Sequence, residues 1–274
     1  MKNIGINVNT SKDGQGEILN NLIEILKSNN ESLNIKIFKD SIGLEDESTS
    51  ELEVVIVLGG DGTILKASKF LAKHNVPILG INIGNLGFLA EAESTYLKEA
   101  VESLLKGHFD IEERKMIQCR IPNREVPFIA LNDIVIAKDV VGRIVKYKIG
   151  VNEHYYTTFV SDGVIISTPT GSTAYSLSAG GPIIYPTMDV ICITPICSHS
   201  LGIRSIVLEG DSKVDIEMEK KFGSVHLAID GQEIINLDGI HSIVIEPSPY
   251  KCKIIKLSYL QNDYFSLLRK KLKL

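Results

Sequence analysis

Apolar and polar positions follow two regimes along this chain. In the first hundred or so residues, compact apolar runs alternate with segments that carry a helical stripe. Ile4–Val8, Val54–Leu58 and Pro77–Ile81 are runs of the first kind. They suit strands buried on both faces, as in a parallel sheet. Leu33–Phe38 alternates and reads as a further strand. Between them lie three stripes: Ile18, Leu19, Leu22, Ile23 and Leu26; then Ile64, Ala67, Phe70 and Leu71 within Thr63 to His74; then Leu97, Ala100, Val101 and Leu104, stopped by Gly107. Strands and helices in alternation predict a layered α/β domain, Rossmann-like in plan. Ser41–Glu51 is acidic and serine-rich with no apolar period, and reads as a mobile surface loop.

The texture changes near Lys115. Short β-prone runs take over: Phe128–Leu131, Ile134–Ala137, Ile144–Val151, His154–Val160, Val164–Ser167, Ile203–Leu208, Val214–Met218, Val225–Ile229, Ser242–Ile245 and Cys252–Leu257. Gly, Asp, Asn and Pro separate them, which predicts an all-β, sandwich-like domain. The expected division is an α/β domain over 1–114 and a β-rich domain over 115–262. Phe265, Leu267, Leu268 and Leu272 among Arg269, Lys270, Lys271 and Lys273 predict an amphipathic helix over 263–274 that packs back on the first domain.

The candidate chemistry sits where the first regime is interrupted. Gly59-Gly60-Asp61-Gly62-Thr63 follows a buried strand and opens a helix. Glycines there permit close approach of backbone to a ligand, and the free N–H groups of a helix start suit phosphate. A carboxylate among them would repel phosphate, so Asp61 reads as a general base, a metal-facing group, or a favoured turn residue. A second glycine-rich turn, Asn82 to Phe88, also follows a strand; in an open sheet the two turns would line one crevice. Gly80, Gly84 and Gly87 do not make the dinucleotide fingerprint. Within the β region, Ser161–Pro182 is crowded with hydroxyls. It predicts one or two helical turns capped by Ser172 and ended by Gly180-Gly181-Pro182, a place for a polar, partly anionic ligand.

Composition narrows the classes. The chain has 274 residues, 44% of them hydrophobic, and a formal net charge of −5. That mild acidity argues against nucleic acid as the main partner. No run approaches the ~18 apolar residues of a membrane span, and Met1–Asn9 lacks a signal-peptide core. Cys119, Cys192, Cys197 and Cys252 show no Cys-x-x-Cys spacing and read as buried thiols in a reducing cytoplasm. The six histidines show no metal-ligand spacing.

Taken together, Gly59-Gly60-Asp61-Gly62-Thr63, Leu131-Asn132-Asp133, Asp162-Gly163, Ser167–Pro182, Ile193-Thr194-Pro195, His199-Ser200-Leu201 and Asp230-Gly231-Gln232 resemble the NAD kinases along nearly the whole chain. The long Thr-Pro-Thr-Gly-Ser-Thr-Ala-Tyr-Ser block carries the specificity; the Gly-Gly-Asp-Gly turn is shared with lipid and sugar kinases. The resemblance implies phosphoryl transfer from ATP or polyphosphate to the adenosine ribose 2′-hydroxyl of NAD, with a divalent metal, expected to be magnesium. It also implies a cytoplasmic homodimer or homotetramer, with no nucleic-acid or membrane partner. Residue by residue, it implies Asp61 as the base, with Gly59, Gly60, Gly62 and Lys66 at phosphate and Phe88 at the ligand. It implies Asn132, Asp133, Asp162, Thr173, Ala174, Tyr175, Ser176, Ser178 and Gln232 around the dinucleotide, and Arg143 reaching ligand from a neighbouring subunit. His199 is a further ligand candidate or a structural histidine. Val160 departs from the pattern, since relatives often carry a basic residue just before Ser-Asp-Gly. The competing functions are a lipid or sugar kinase sharing only the glycine turn and a non-catalytic NAD(P) sensor.

Overall fold

The computed structural model describes residues 1–84, 87–139, 144–198, 200, 202–219, 224–258 and 264–273. In chain order the first elements are β1 (Asn3–Val8), α1 (Glu17–Asn29), β2 (Asn34–Lys39), β3 (Val54–Gly59), α2 (Asp61–Leu71), β4 (Ile78–Asn82), β5 (Ala92–Glu93) and α3 (Leu97–Leu105). Then come β6 (Phe109–Arg120), β7 (Phe128–Ala130), β8 (Asp133–Lys138), β9 (Val145–Val151), β10 (His154–Ser161), β11 (Gly163–Ser167) and α4 (Tyr175–Ser178). The last are β12 (Val190–Ile196), β13 (Ile206–Glu209), β14 (Val214–Glu219), β15 (Val225–Ile229), β16 (Glu233–Asn236), β17 (Ser242–Leu257) and α5 (Tyr264–Leu272). The chain divides into two units, Met1–Glu113 with Cys252–Leu274, and Arg114–Lys251.

The first unit is built on parallel pairings: β2 with β1, β1 with β3, β3 with β4, and β4 with both β5 and the end of β17. Val54, Ile56 and Leu58 of β3 enter one core with Leu22 and Leu26 of α1 and Leu97, Val101 and Leu104 of α3. Val55 and Val57 are equally buried and alternate to the opposite side. This double burial explains the unbroken apolar run. Gly80 of β4 leaves room for Ile64 of α2, whose Cδ1 would lie 2.6 Å from an added methyl. Ser41–Glu51 is not a mobile loop. Leu44 and Thr49 are fully buried, Ser41 exchanges hydrogen bonds with the Asn7 side chain, and residues Glu47–Glu51 form a 3-10 turn. Leu44, Thr49 and the Asn7–Ser41 hydrogen bonds anchor it without any apolar period.

The second unit is antiparallel. One sheet orders β10, β9, β14 and the start of β17; the other runs β13-β12-β11-β8-β15-β16. Tyr147, Ile149, Ile216 and Ile243 of the first sheet share one core with Ile136, Val164, Ile193 and Leu227 of the second, so the unit is a β-sandwich. The expected β-rich domain over 115–262 ends earlier than predicted. Ser242–Ile245 and Cys252–Leu257 are one strand, whose last residues join the first unit where Ile254 pairs with Ile78. The long strand β6, and β12 and β16, escaped the sequence reading. Cys119, Cys192 and Cys252 are buried, whereas Cys197 is exposed, and none of the four is in a disulfide. Burial pushes the Cys119 thiol up to about 12.

Glu91 ties two segments of the first unit. It is 5% exposed, accepts the Leu257 N–H at 3.0 Å and pairs with Lys256. Glu91→Ala strands a buried N–H and an ammonium, and will cost about 1–3 kcal/mol of stability. Urea unfolding followed by circular dichroism checks this, since the chain has no tryptophan.

Candidate functional site

In the first unit the glycine turn follows from the end of β3. Gly60 is the residue before α2, and the N–H groups of Thr63 and Ile64 return to its carbonyl. A methyl at Gly59 would overlap the Thr63 side chain, and one at Gly87 would overlap the Asp61 carboxylate. Both positions therefore need glycine for space. Asp61 accepts the Phe88 N–H on Oδ2 at 2.7 Å and the Leu89 N–H on Oδ1 at 3.1 Å. Two donors fix the carboxylate while each oxygen keeps a second lone pair. A cavity of about 310 Å³ opens here, lined by Asn9, Lys12, Gly60, Asp61, Gly62, Thr63, Gly87 and Lys271.

Three of those residues, Asn9, Lys12 and Lys271, are not among the sequence candidates. Lys12 reaches over the turn: methyls added at Gly60 and Gly84 would lie 2.8 and 3.1 Å from its Nζ. Asn9 positions it, accepting the Lys12 N–H on Oδ1 and donating to Thr63 Oγ1 at 3.0 Å. The signal was an Asn-x-x-Lys turn directly after the first strand. Lys271 comes from α5, which the charge pattern assigned only to a helix end. Lys66 does not line this cavity; its Nζ donates to the Asp40 carbonyl at 2.7 Å. Phe88 contributes its N–H to Asp61, with its ring half-buried.

In the second unit three turns interlock. Asp230 accepts N–H bonds from Leu131 (3.0 Å), Asn132 (2.7 Å) and Asp133 (3.1 Å). Its own N–H returns to the Asp133 carbonyl at 2.9 Å. Thr168 donates its hydroxyl to the Leu131 carbonyl and its N–H to the Asn132 carbonyl. A methyl at Gly171 would overlap the Asn132 backbone. Asp133 is 3% exposed, and its carboxyl is pushed up to about 7 by burial and by the Asp230 charge, against the Tyr175 N–H that bonds it.

The hydroxyl-rich segment forms the expected short helical turns, a 3-10 turn over Thr170–Thr173 and an α-helical turn over Tyr175–Ser178, but not the expected cap. Ser172 caps no helix. It donates to the Pro169 carbonyl and accepts the Ile184 N–H, stapling the two ends of the segment. The α-helical turn α4 begins after it, at Tyr175, with no side-chain cap. The Tyr175 ring is 47% exposed and Ser178 is exposed, while Thr173 and Ala174 are half-buried. Ser176 is fully buried, its hydroxyl 3.0 Å from that of Thr194, so it serves the frame. Gln232 is exposed in the turn that Asp230 opens. Asp162 lies at the other end of β11 from Ser167, the partner of Asp133, roughly 16 Å away at ~3.3 Å per residue. It pairs with Lys138 at 2.9 Å. Val160 places no charge there. Arg143, His199 and Leu201 lie outside the described residues, as do Asn85 and Leu86 of the second glycine turn.

The model of the ATP-NAD kinase N-terminal domain matches residues 5–109, and that of the ATP-NAD kinase C-terminal domain matches 131–257. The chain belongs to the NAD kinase family. An NAD kinase of Clostridium tetani is 55% identical over 274 residues, covering 99% of both chains. One of Clostridium botulinum is 51% identical, covering 99% of this chain and 96% of the other. Among solved structures, yeast NADH kinase complexed with NADH aligns with a TM-score of 0.85 at 22% identity, over 100% of this chain and 88% of that one. An NAD kinase from Archaeoglobus fulgidus in complex with ATP aligns at 0.78 and 24% identity, over 97% and 98%. At such identities these two structures speak to the shared NAD kinase fold.

Gly171 is the tightest contact in the second cluster. Gly171→Ala forces the Asn132 backbone away and will cost about 1–3 kcal/mol as an overpacked site. Urea unfolding measures the loss.

Proposed function

We propose that the chain is an NAD kinase, moving the terminal phosphoryl group of ATP to the 2′-hydroxyl of the adenosine ribose of NAD to form NADP. The observation that carries this reading is Asp61. Among the described residues it is the one acidic side chain lining the cavity at the glycine turn, and two backbone donors hold it in place. A ribose hydroxyl becomes an effective nucleophile when a positioned base takes its proton as the bond forms. The Gly60–Gly62 backbone and the Lys12 and Lys271 ammonium groups suit the donor phosphates, whose charge they offset. Relatives named NAD kinases match this chain from end to end, which supports the same reaction here.

Asn132, Asp133, Tyr175 and Gln232 then serve one part of the dinucleotide and Asp162 another, with the exposed Tyr175 ring free to stack on a base. Inorganic polyphosphate is a second donor of the same chemistry. Among the described residues no three His, Cys, Asp or Glu side chains gather into a metal cluster. Magnesium would come with the nucleotide, whose phosphate charge it would offset. The family resemblance carries the further proposals of a cytoplasmic homodimer or homotetramer, with Arg143 meeting ligand across subunits.

Purified protein with ATP, magnesium and NAD will make a product that supports an NADP-specific dehydrogenase. Asp61→Asn will lower kcat by about a hundredfold or more, the scale of a lost general base, while still binding NAD. Full activity in the Asn variant would refute the assignment. Lys12→Ala will raise the KM for ATP about tenfold, the worth of one charge-assisted hydrogen bond. Lys66→Ala will change it less than about twofold, as for an exposed contact. Steady-state kinetics with varied ATP separates the two lysines.

A further inference from the structure

The interlocked turns of the second unit contain two carboxyls with opposite surroundings. Asp230 accepts three backbone N–H bonds at 2.7–3.1 Å, an arrangement that favours the ionised form. Asp133 is 3% exposed, begins β8, and is met by one backbone donor, the Tyr175 N–H. Among the described residues, the elements packed on it bring no cation that bears on its charge. β11 places Ser167 opposite it, the following segment supplies Thr168 and Tyr175, and the turn after β15 supplies the Asp230 carboxylate. Among the described residues the charged group that bears on Asp133 is Asp230, and it is of like sign. A buried carboxyl beside a carboxylate does not ionise readily.

We propose that Asp230 is a positioning residue that keeps Asp133 a neutral acid, so that the dinucleotide meets a hydrogen-bond donor instead of a second negative charge. The proposal rests on the reading of this cluster as the NAD site. Asp230 has two linked effects. Its N–H bonds fix the Leu131–Asp133 backbone, and its charge holds the proton on the neighbouring carboxyl. An acid in this state donates to a carbonyl, ring nitrogen or phosphate oxygen of the ligand, which an ionised carboxylate repels. The raised Asp133 carboxyl, at about 7, puts the change within reach of experiment. Below that pH the neutral, binding-competent form dominates. Above it the carboxyl has lost the one proton that binding must restore, and NAD affinity falls roughly tenfold per further pH unit at the limit.

The test is the dissociation constant for NAD, measured by calorimetry without any phosphoryl donor between about pH 6 and about pH 8.5, where NAD itself does not titrate. The wild type is expected to bind with constant affinity at the acid end and to weaken above neutrality, taking up one proton per NAD bound at the alkaline end. In Asp133→Asn the pH dependence and the proton uptake disappear. In Asp230→Asn the onset moves to lower pH, because the like charge that held the proton is gone. A merely structural role for Asp230 would weaken binding at every pH and leave the onset in place, and that result overturns the proposal. So does a flat wild-type profile, or an Asp133→Asn profile that keeps its slope. If Asp230→Asn fails to fold, infrared spectra of the wild type below neutrality decide. A protonated-carboxyl stretch lost in Asp133→Asn supports the proposal, and no difference overturns it. A chain that makes NADP yet binds NAD with no pH dependence sinks this inference alone. Titrating NAD binding without NADP formation sinks the kinase reading alone.

Discussion

Carboxylates that accept backbone N–H groups hold the functional turns of this protein. Asp61 holds Phe88 and Leu89, and Asp230 holds Leu131 to Asp133. The same device recurs away from the sites: Asp13 accepts from Ile18 and Leu19 at the start of α1, Asp40 from Thr10, and Glu91 from Leu257. Turns rich in Gly, Asn and Thr have few apolar side chains to bury. Their positions must come from directed hydrogen bonds, and those to a charged acceptor are worth about 1.5–3 kcal/mol each. A carboxylate with two oxygens can hold two or three N–H groups at once, which fixes a backbone segment and not merely a single atom.

This solution has an electrostatic consequence. It places negative charge beside the backbone that, in the proposed function, meets an anionic ligand. The structure answers locally, since the net charge of −5 supplies no general attraction. At the glycine turn the answer is Lys12 and Lys271 on the same cavity wall as Asp61. Beside Asp133 the proposed answer is protonation. The two clusters thus solve one problem by different means, according to whether a flexible lysine can reach the spot from a neighbouring turn.

The periodicity exposed most elements because burial enforces it. β3 reads as a strand since both of its faces are covered, and α1 and α3 since one stripe of each enters the core. β6 was illegible: its first half, Asp110 to Lys115, is largely polar and half-exposed, so no apolar run announces it. β17 read as two strands because Pro247 and Pro249 interrupt it where its residues are half-exposed, and proline there costs little. For the site, local motifs were visible, including Asp61 and the Asn132-Asp133 turn. What stayed hidden were contacts between residues far apart in sequence. Lys66 looked apt one turn beyond the glycines, yet it points to Asp40, and Lys12 takes the place from a turn some fifty residues earlier. Asp230 was seen as part of a motif and Gln232 as its contact, whereas the aspartate's grip on residues a hundred positions away is a property of the β8–β15 pairing.

That pairing logic also accounts for Val160. Where the family resemblance leads to the expectation of a basic residue, this chain has an apolar one on β10, opposite Lys146, which is itself engaged with Glu219. Charge balance at Asp162 comes instead from Lys138 at the end of β8. The register makes this possible. Gly163 pairs with Ala137, and Lys138 donates its N–H to the Asp162 carbonyl, so the lysine is delivered beside the aspartate by the sheet itself. Gly163 is part of the arrangement, because a methyl there would come within 2.5 Å of the Ile136 carbonyl and drive β8 and β11 apart. The cation beside Asp162 is thus fixed by strand spacing, and it is present whatever residue precedes Ser161.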